Sequence, residues 1–466
     1  MRMIKAMKFV GKVLLGLLAL VVLLVAVVWF WPVYSRTTDI DFTRHLADYQ
    51  GAGADNFFGV EGDGRLIITG IDAGESATIS LNGEQIIGPG AFASDASLEV
   101  PVVLVADNQL VVEPAPGTAL TLRVKQMQTI TMHVAARMHF NTNVSDFPTA
   151  RAFYRDIGFE SETGFPDANT VAMAKAMGIY EPTDYDGSQG GEPGGYLLHG
   201  KIIGLGDLGS GSIDLIEYTI PRNDDPPYGA LNRLGMVKGG MHTTNIDADY
   251  AYMTSIGVKF IAPPIERANG RRFAIFTDPD GTFYELIDVD GPDLPTNTTH
   301  INRVATIGFN VSDYERSRAW YQMMGYEETR KLPGTESAAV SAAMGFDAPV
   351  EIDGGMLTQV RGGSEMELVQ WIKPYDPTPP FPVPINHVGI HRTALISMDI
   401  EADVATLEAQ GVEFVSPLTP CCSGDDASSY IVAFYDPDGT IVELAGSPLM
   451  SKFYTVIMWY NDLFGD

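Results

Sequence analysis

The sequence predicts an α+β protein: four units of strand, helix and further strands, grouped as two tandem modules, preceded by a transmembrane helix and a small all-β domain. Three observations lead there. An Asn-Val-Ser-Asp run at Asn143 returns at Asn310, 167 positions later, and Ala176-Met177-Gly178 returns at Ala343-Met344-Gly345 with the same offset, so the chain carries an internal duplication. A D-P-D-G-T-x-x-E-L stretch occurs at 278–286 and again at 436–444. An uncharged run from Val13 to Tyr34 follows a flank containing Arg2, Lys5, Lys8 and Lys12.

Taken in order, residues 1–35 read as a basic flank and a signal anchor. The apolar run is long enough to cross a hydrocarbon core of ~30 Å as a helix. Trp29, Trp31 and Tyr34 stand at its far end, where aromatic rings favour the interface. The basic flank belongs on the cytoplasmic side, which puts the bulk of the chain outside the cytoplasm, periplasmic or extracellular, as a single-pass membrane protein. A cleaved signal peptide is the alternative; the length of the run and the lack of a small-x-small cleavage site speak against it. Residues 36–126 hold short β-branched runs separated by Asn82-Gly83, Pro89-Gly90 and Pro116-Gly117, the pattern of a small sandwich. It reads as a spacer that lifts the rest off the membrane and offers a surface to a protein partner.

From residue 127 strands alternate with helices. In the first unit His139, Asn141 and Asn143 alternate with apolar neighbours, as in a strand. Asp146 stands at a helix-cap position, Ala150, Phe153, Tyr154 and Ile157 recur at helical spacing, and Gly158 ends the helix. The second unit opens at Met236–Asn245 with a helix over 248–256. The third opens at Val304–Val311. The fourth opens at Gly389–Met398 with a helix over 400–410. In the D-P-D-G hairpins proline presets the turn, Asp-Gly supplies the positive φ, and the glutamate lands on the returning strand. The polar linker Pro292–Thr299 separates two modules, 127–294 and 295–450, and an aromatic tail, 451–466, follows. Terminal packing on the second module is the expectation for this tail; an exposed apolar patch would instead mark a partner or a membrane surface.

The formal net charge of −29 argues against binding nucleic acid, whose phosphates need a basic surface, so no nucleic acid partner is expected. The only cysteines, Cys421 and Cys422, are adjacent, which rules out a disulfide framework.

The runs at 144–159 and 311–326, with the two D-P-D-G-T-x-x-E-L hairpins, resemble the vicinal oxygen chelate superfamily, which includes glyoxalase I, extradiol dioxygenases and bleomycin-resistance proteins. The resemblance covers residues 130 to 447. It implies paired βαβββ units whose sheets form open cups, with one divalent metal held by side chains from the first and last strand of each unit. Carried onto this chain, the first-strand positions are His139, Lys238, Thr306 and Arg392, and the last-strand positions are Asp214, Glu285, Glu367 and Glu443. If consecutive units pair, the first module offers His139, Asp214 and Glu285 to an iron, manganese, zinc or nickel ion. The second module, with Arg392 facing Glu367 and Glu443, has a degenerate, salt-bridged site. His242, four residues beyond Lys238, is a candidate for the missing imidazole. Lys238 has two readings: a cation that neutralises Glu285 and replaces the metal, or a group that stabilises an enolate oxygen or binds a substrate carboxylate. Glu285 is the candidate general base.

These residues lead to a membrane-anchored, glyoxalase-like enzyme performing metal-dependent lyase or isomerase chemistry on a small oxygenated substrate in the first module. Two alternatives stand beside it: a non-catalytic small-molecule binding protein of the bleomycin-resistance type, and a structural or interaction protein with vestigial cups.

Overall fold

The computed structural model describes residues 23, 26, 30–92, 96–206, 211–292, 298–421 and 428–464. The basic flank, most of the apolar run and Cys422 lie outside them. Among the described residues no helix is long and apolar enough to cross a membrane.

Eight strands between Arg36 and Met132 form two four-stranded sheets. One runs Arg36–Tyr49, Leu120–Met132, Gly62–Thr69, Leu98–Leu104, and the other Gly53–Phe58, Asp107–Pro114, Ala77–Leu81, Glu84–Ile87. Leu66, Ile68, Ile79, Leu110, Val112 and Leu122 are fully buried together. The period-two alternation of these strands aims one face inward. Asn82 and Gly83 both take positive φ, which suits the tight turn between Ala77–Leu81 and Glu84–Ile87. The strand Leu120–Met132 runs past position 126, where the composition changes. Its outer end brings Ile130 and Met132, with Ile40 of its neighbour, into the core of the following region.

Four units follow. In each, the first strand lies parallel to the last: Val134–Asn143 beside Ser212–Ile220, Gly235–Thr243 beside Phe283–Asp288, Ile301–Val311 beside Glu365–Lys373, and Gly389–Ser397 beside Ile441–Gly446. The helix after each first strand is capped by a side chain, at Asp146 as the sequence predicts and at three further positions in the same way. The side chains of Asp146, Asn245, Asp313 and Asp399 accept from the backbone amides of Thr149, Ala248, Arg316 and Ala402, at 2.8–3.2 Å. Those helices span Phe147–Asp156, Ile246–Ser255, Tyr314–Met323 and Ile400–Ala409.

The pairing of units differs from the consecutive pairing expected above. Unit one joins unit four: Val134–Asn143 pairs antiparallel with Gly389–Ser397 inside an eight-stranded sheet. Unit two joins unit three in the same way, Gly235–Thr243 with Ile301–Val311, inside a nine-stranded sheet. Each cup therefore draws on both modules.

Consecutive units do touch, through the backs of the sheets. The helix of unit one lies on unit two, with Tyr154 Oη donating to Tyr284 Oη at 2.7 Å and Asp280 of the D-P-D-G hairpin accepting from the Ser145 amide at 3.0 Å. The helix of unit three lies on unit four, with Tyr321 donating to Asp436 at 2.8 Å and Asp438 accepting from the Ser312 amide at 3.1 Å. Strand pairing and hairpin latches alternate, so the four units close into a ring around one core.

Candidate functional site

Parallel pairing of first and last strands sets the two family positions of each unit side by side, and antiparallel pairing of first strands brings two units together. In the first cup the four positions are His139, Asp214, Arg392 and Glu443, which share one cavity of about 350 Å³. In the second cup they are Lys238, Glu285, Thr306 and Glu367.

The floor of the first cup is buried but incompletely partnered. His139 Nε2 lies 3.2 Å from Asp214 Oδ2, yet neither ring nitrogen makes a hydrogen bond. Burial drives both toward neutrality: it pulls the His139 imidazole down to about 4 and pushes the Asp214 carboxyl up to about 7. Their closeness is thus an approach of weakly charged groups rather than a strong ion pair. Asn141 Nδ2 donates to Asp214 at 3.3 Å, leaving Asp214 Oδ1 unpaired. The Arg392 guanidinium stands 3.4 Å from Glu443 Oε2 and donates to the Met177 sulfur. Its Nε and that same Glu443 oxygen lack hydrogen-bond partners. Met173, Met177, Tyr196, Leu198 and Tyr218 supply much of the wall above.

The second cup is filled by its own cations. Lys238 Nζ bonds both Glu285 and Glu367. Arg267 reaches Glu285, Glu367 and Glu336, each at 3.5 Å, while its guanidinium lies 4.5 Å from the centre of the Phe273 ring. Burial works to raise the Glu367 carboxyl, but Lys238 and Arg267 hold it down to about 2. The two carboxylates outweigh burial at Lys238 and raise it. The remaining cavity is about 20 Å³. Thr306 donates to Glu365 at 3.3 Å and His242 lies 3.2 Å from the same carboxylate, so His242 belongs to the mouth of this cup.

The candidate residues are therefore divided. His139 and Asp214 meet in the first cup; Lys238 and Glu285 meet in the second; His242 pairs with Glu365. Glu285 is not brought to His139, because Phe283–Asp288 lies in the other sheet. Arg267 and Glu336 went unnoticed in the sequence. Neither stands at a first- or last-strand position, and only the local run of arginines at 267, 271 and 272 hinted at extra positive charge.

The profile of the Glyoxalase/Bleomycin resistance protein/Dioxygenase superfamily matches residues 137–286 and 300–444. The chain belongs to this superfamily. No curated protein matches it. Solved structures similar to this superfamily member include glyoxalase I from Zea mays, at 16% identity and a TM-score of 0.45, covering 70% of this chain and 95% of that one. A putative dioxygenase from Bacillus subtilis subsp. subtilis str. 168 matches at 12% identity and a TM-score of 0.43, covering 68% and 86%. A glyoxalase family protein from Bacillus cereus matches at 17% identity and a TM-score of 0.29, covering 33% and 98%.

Superfamily members commonly use a divalent metal, and the residues here fit one poorly. In the second cup Lys238 stands between the carboxylates that would be ligands. In the first, Arg392 takes a ligand position and faces Glu443. Among the described residues no three histidine, cysteine, aspartate or glutamate side chains are arranged to hold an ion.

Proposed function

We propose that this superfamily member is a small-molecule binding protein whose first cup takes a largely apolar ligand bearing an anionic oxygen group, and whose second cup is a closed internal lock. The observation that carries this reading is the contrast in partnering. The open cavity ends on the unpartnered atoms of His139, Asp214, Arg392 and Glu443, whereas at the centre of the second cup Lys238, Glu285 and Glu367 satisfy one another and only Glu336, beside Arg267, lacks hydrogen bonds. Buried polar atoms without partners are costly, and an anionic ligand oxygen near Arg392 would relieve that cost at the Arg392 Nε. Apolar walls with a few convergent polar groups are the usual composition of a ligand pocket.

In this reading Arg392 holds the anion, with neutral His139 and the protonated form of Asp214 as hydrogen-bond donors. The metal-dependent lyase reading loses its support, because Glu285, its candidate base, is engaged by Lys238 in the other cup. The membrane anchor and the outward location remain part of the proposal and rest on the N-terminal sequence. Titration calorimetry with octanoate and with octanol tests the ligand class. Octanoate should bind the full chain and lose most of its affinity in Arg392→Met, while octanol binds weakly to both. Equal affinity for octanoate in the two proteins would refute the assignment.

A further inference from the structure

The C-terminal helix, Pro448–Phe464, is built the wrong way round for a helix that ends a soluble domain. Its inward face carries small polar side chains: Ser451 and Thr455 are buried, one turn apart, below the buried Ser447. Its outward face carries the large apolar ones. Phe453 is 60% exposed, Trp459 45% and Leu463 55%, with Val456 and Ile457 also open. A soluble surface rarely offers so continuous an apolar stripe.

Two further contacts say what covers it. Trp459 packs edge-on against Trp31, with ring centres 5.9 Å apart, and Lys452 Nζ donates to the Trp31 carbonyl at 2.7 Å. Trp31 lies near the end of the uncharged run Val13–Tyr34, and the neighbouring Phe30 is 83% exposed. The apolar stripe is therefore continuous with the segment whose composition suits a bilayer. On its inner side, Ser451 and Tyr454 line the first cup, together with residues 428–431.

We propose that this helix lies in the lipid interface and forms the rim of the first cup, so that the cup exchanges its ligand with the bilayer. The ligand class narrows to amphiphiles: an acyl or similar tail along the methionine and tyrosine wall, and a carboxylate or comparable anionic head at Arg392. An interfacial helix seats its apolar face at the boundary of headgroups and acyl chains, where indole and phenol rings are favoured. This inference deepens the binding role proposed for the first cup and rests on it.

The test uses the full chain in phosphatidylcholine vesicles with brominated acyl chains. Tryptophan quenching should fall when Trp459 is replaced in Trp459→Phe; unchanged quenching would overturn the interfacial placement. In a second arm, Phe453→Asp/Ile457→Asp should slow uptake of a long-chain fatty acid from vesicles at least about tenfold, the scale expected from losing large apolar side chains to lipid. The same variant should bind octanoate from solution with unchanged affinity, because neither residue lines the cavity. Intact octanoate binding with undiminished uptake overturns the helix's role alone. Failure of the wild-type chain to bind octanoate overturns the cup's binding role instead. A dimer in light scattering that the double substitution dissociates would assign the stripe to a second copy and refute the bilayer.

Discussion

The two cups are built by one topology and differ in where their positive charge sits. In the second, Lys238 spans Glu285 and Glu367 across the two units, and Arg267 closes the remaining side. In the first, Arg392 faces one carboxylate, Asp214 sits near a neutral imidazole, and a cavity of about 350 Å³ stays open above them. The difference shows how one set of strand positions serves either recognition or cohesion. A cation bridging two acids cancels the site, while a cation held to one side leaves polar atoms free for a guest.

The sharpest way to break the comparison is to remove each central cation. Lys238→Met should destabilise the protein by about 3–5 kcal/mol in denaturant unfolding, since it strands two buried carboxylates against Arg267 alone. Arg392→Met should cost less than half of that, because its cup opens to a cavity, yet it should weaken octanoate binding by ~10–100-fold, the scale of an unpaired charge contact. Equal stability losses would erase the distinction between lock and pocket.

A second contrast is pH. Asp214 has a folded pKa of about 7, raised from its ordinary value, so it is neutral below that pH and charged above it. The titratable groups around it include His139, Arg392, Glu443 and Tyr218, and His139 stays neutral down to about 4. Octanoate affinity should therefore rise as pH falls through about 7, and Asp214→Asn should flatten the profile. The linked stabilities oppose one another. The Asp214 contribution is fully present below its unfolded value and is lost as pH rises through about 7. The His139 contribution is present above its unfolded value and is lost as pH falls through about 4. His139→Gln should expose the Asp214 slope, a stability that declines from pH 4 to pH 7 in thermal melts.

The smallest effects belong to the hairpin latches. Asp280→Ala and Asp438→Ala each remove a hairpin latch onto the neighbouring unit. Asp280→Ala should cost about 1–2 kcal/mol, the scale of a pair of side-chain hydrogen bonds, and Asp438→Ala more, because Asp438 also accepts from Arg316 at 2.6 Å. Equal values would mean that the Arg316 contact adds nothing to the second latch.

How far these features are legible in the sequence depends on the range of the interaction. The helix cap at Asp146 is local, and so was readable. The eight first- and last-strand positions follow from the family resemblance alone, and the structure sets them around the two cups. Which units share a sheet was hidden, because every unit has the same strand–helix–strand grammar and pairing across more than 200 residues leaves no local mark, as between His139 and Ala394. For that reason the metal set of His139, Asp214, His242 and Glu285 was drawn from both cups. Arg267 was invisible because it enters from beside a two-residue strand, Ile265–Glu266. The tail read correctly as aromatic, but its inverted faces emerge only when burial is known.

The most direct test is the stoichiometry of octanoate by titration calorimetry on the full chain, on Arg392→Met and on Thr306→Val. The account predicts one site per chain, weakened by the same ~10–100-fold in Arg392→Met and unchanged in Thr306→Val. Two sites per chain, or binding that is undiminished in Arg392→Met and vanishes with Thr306→Val, would contradict it.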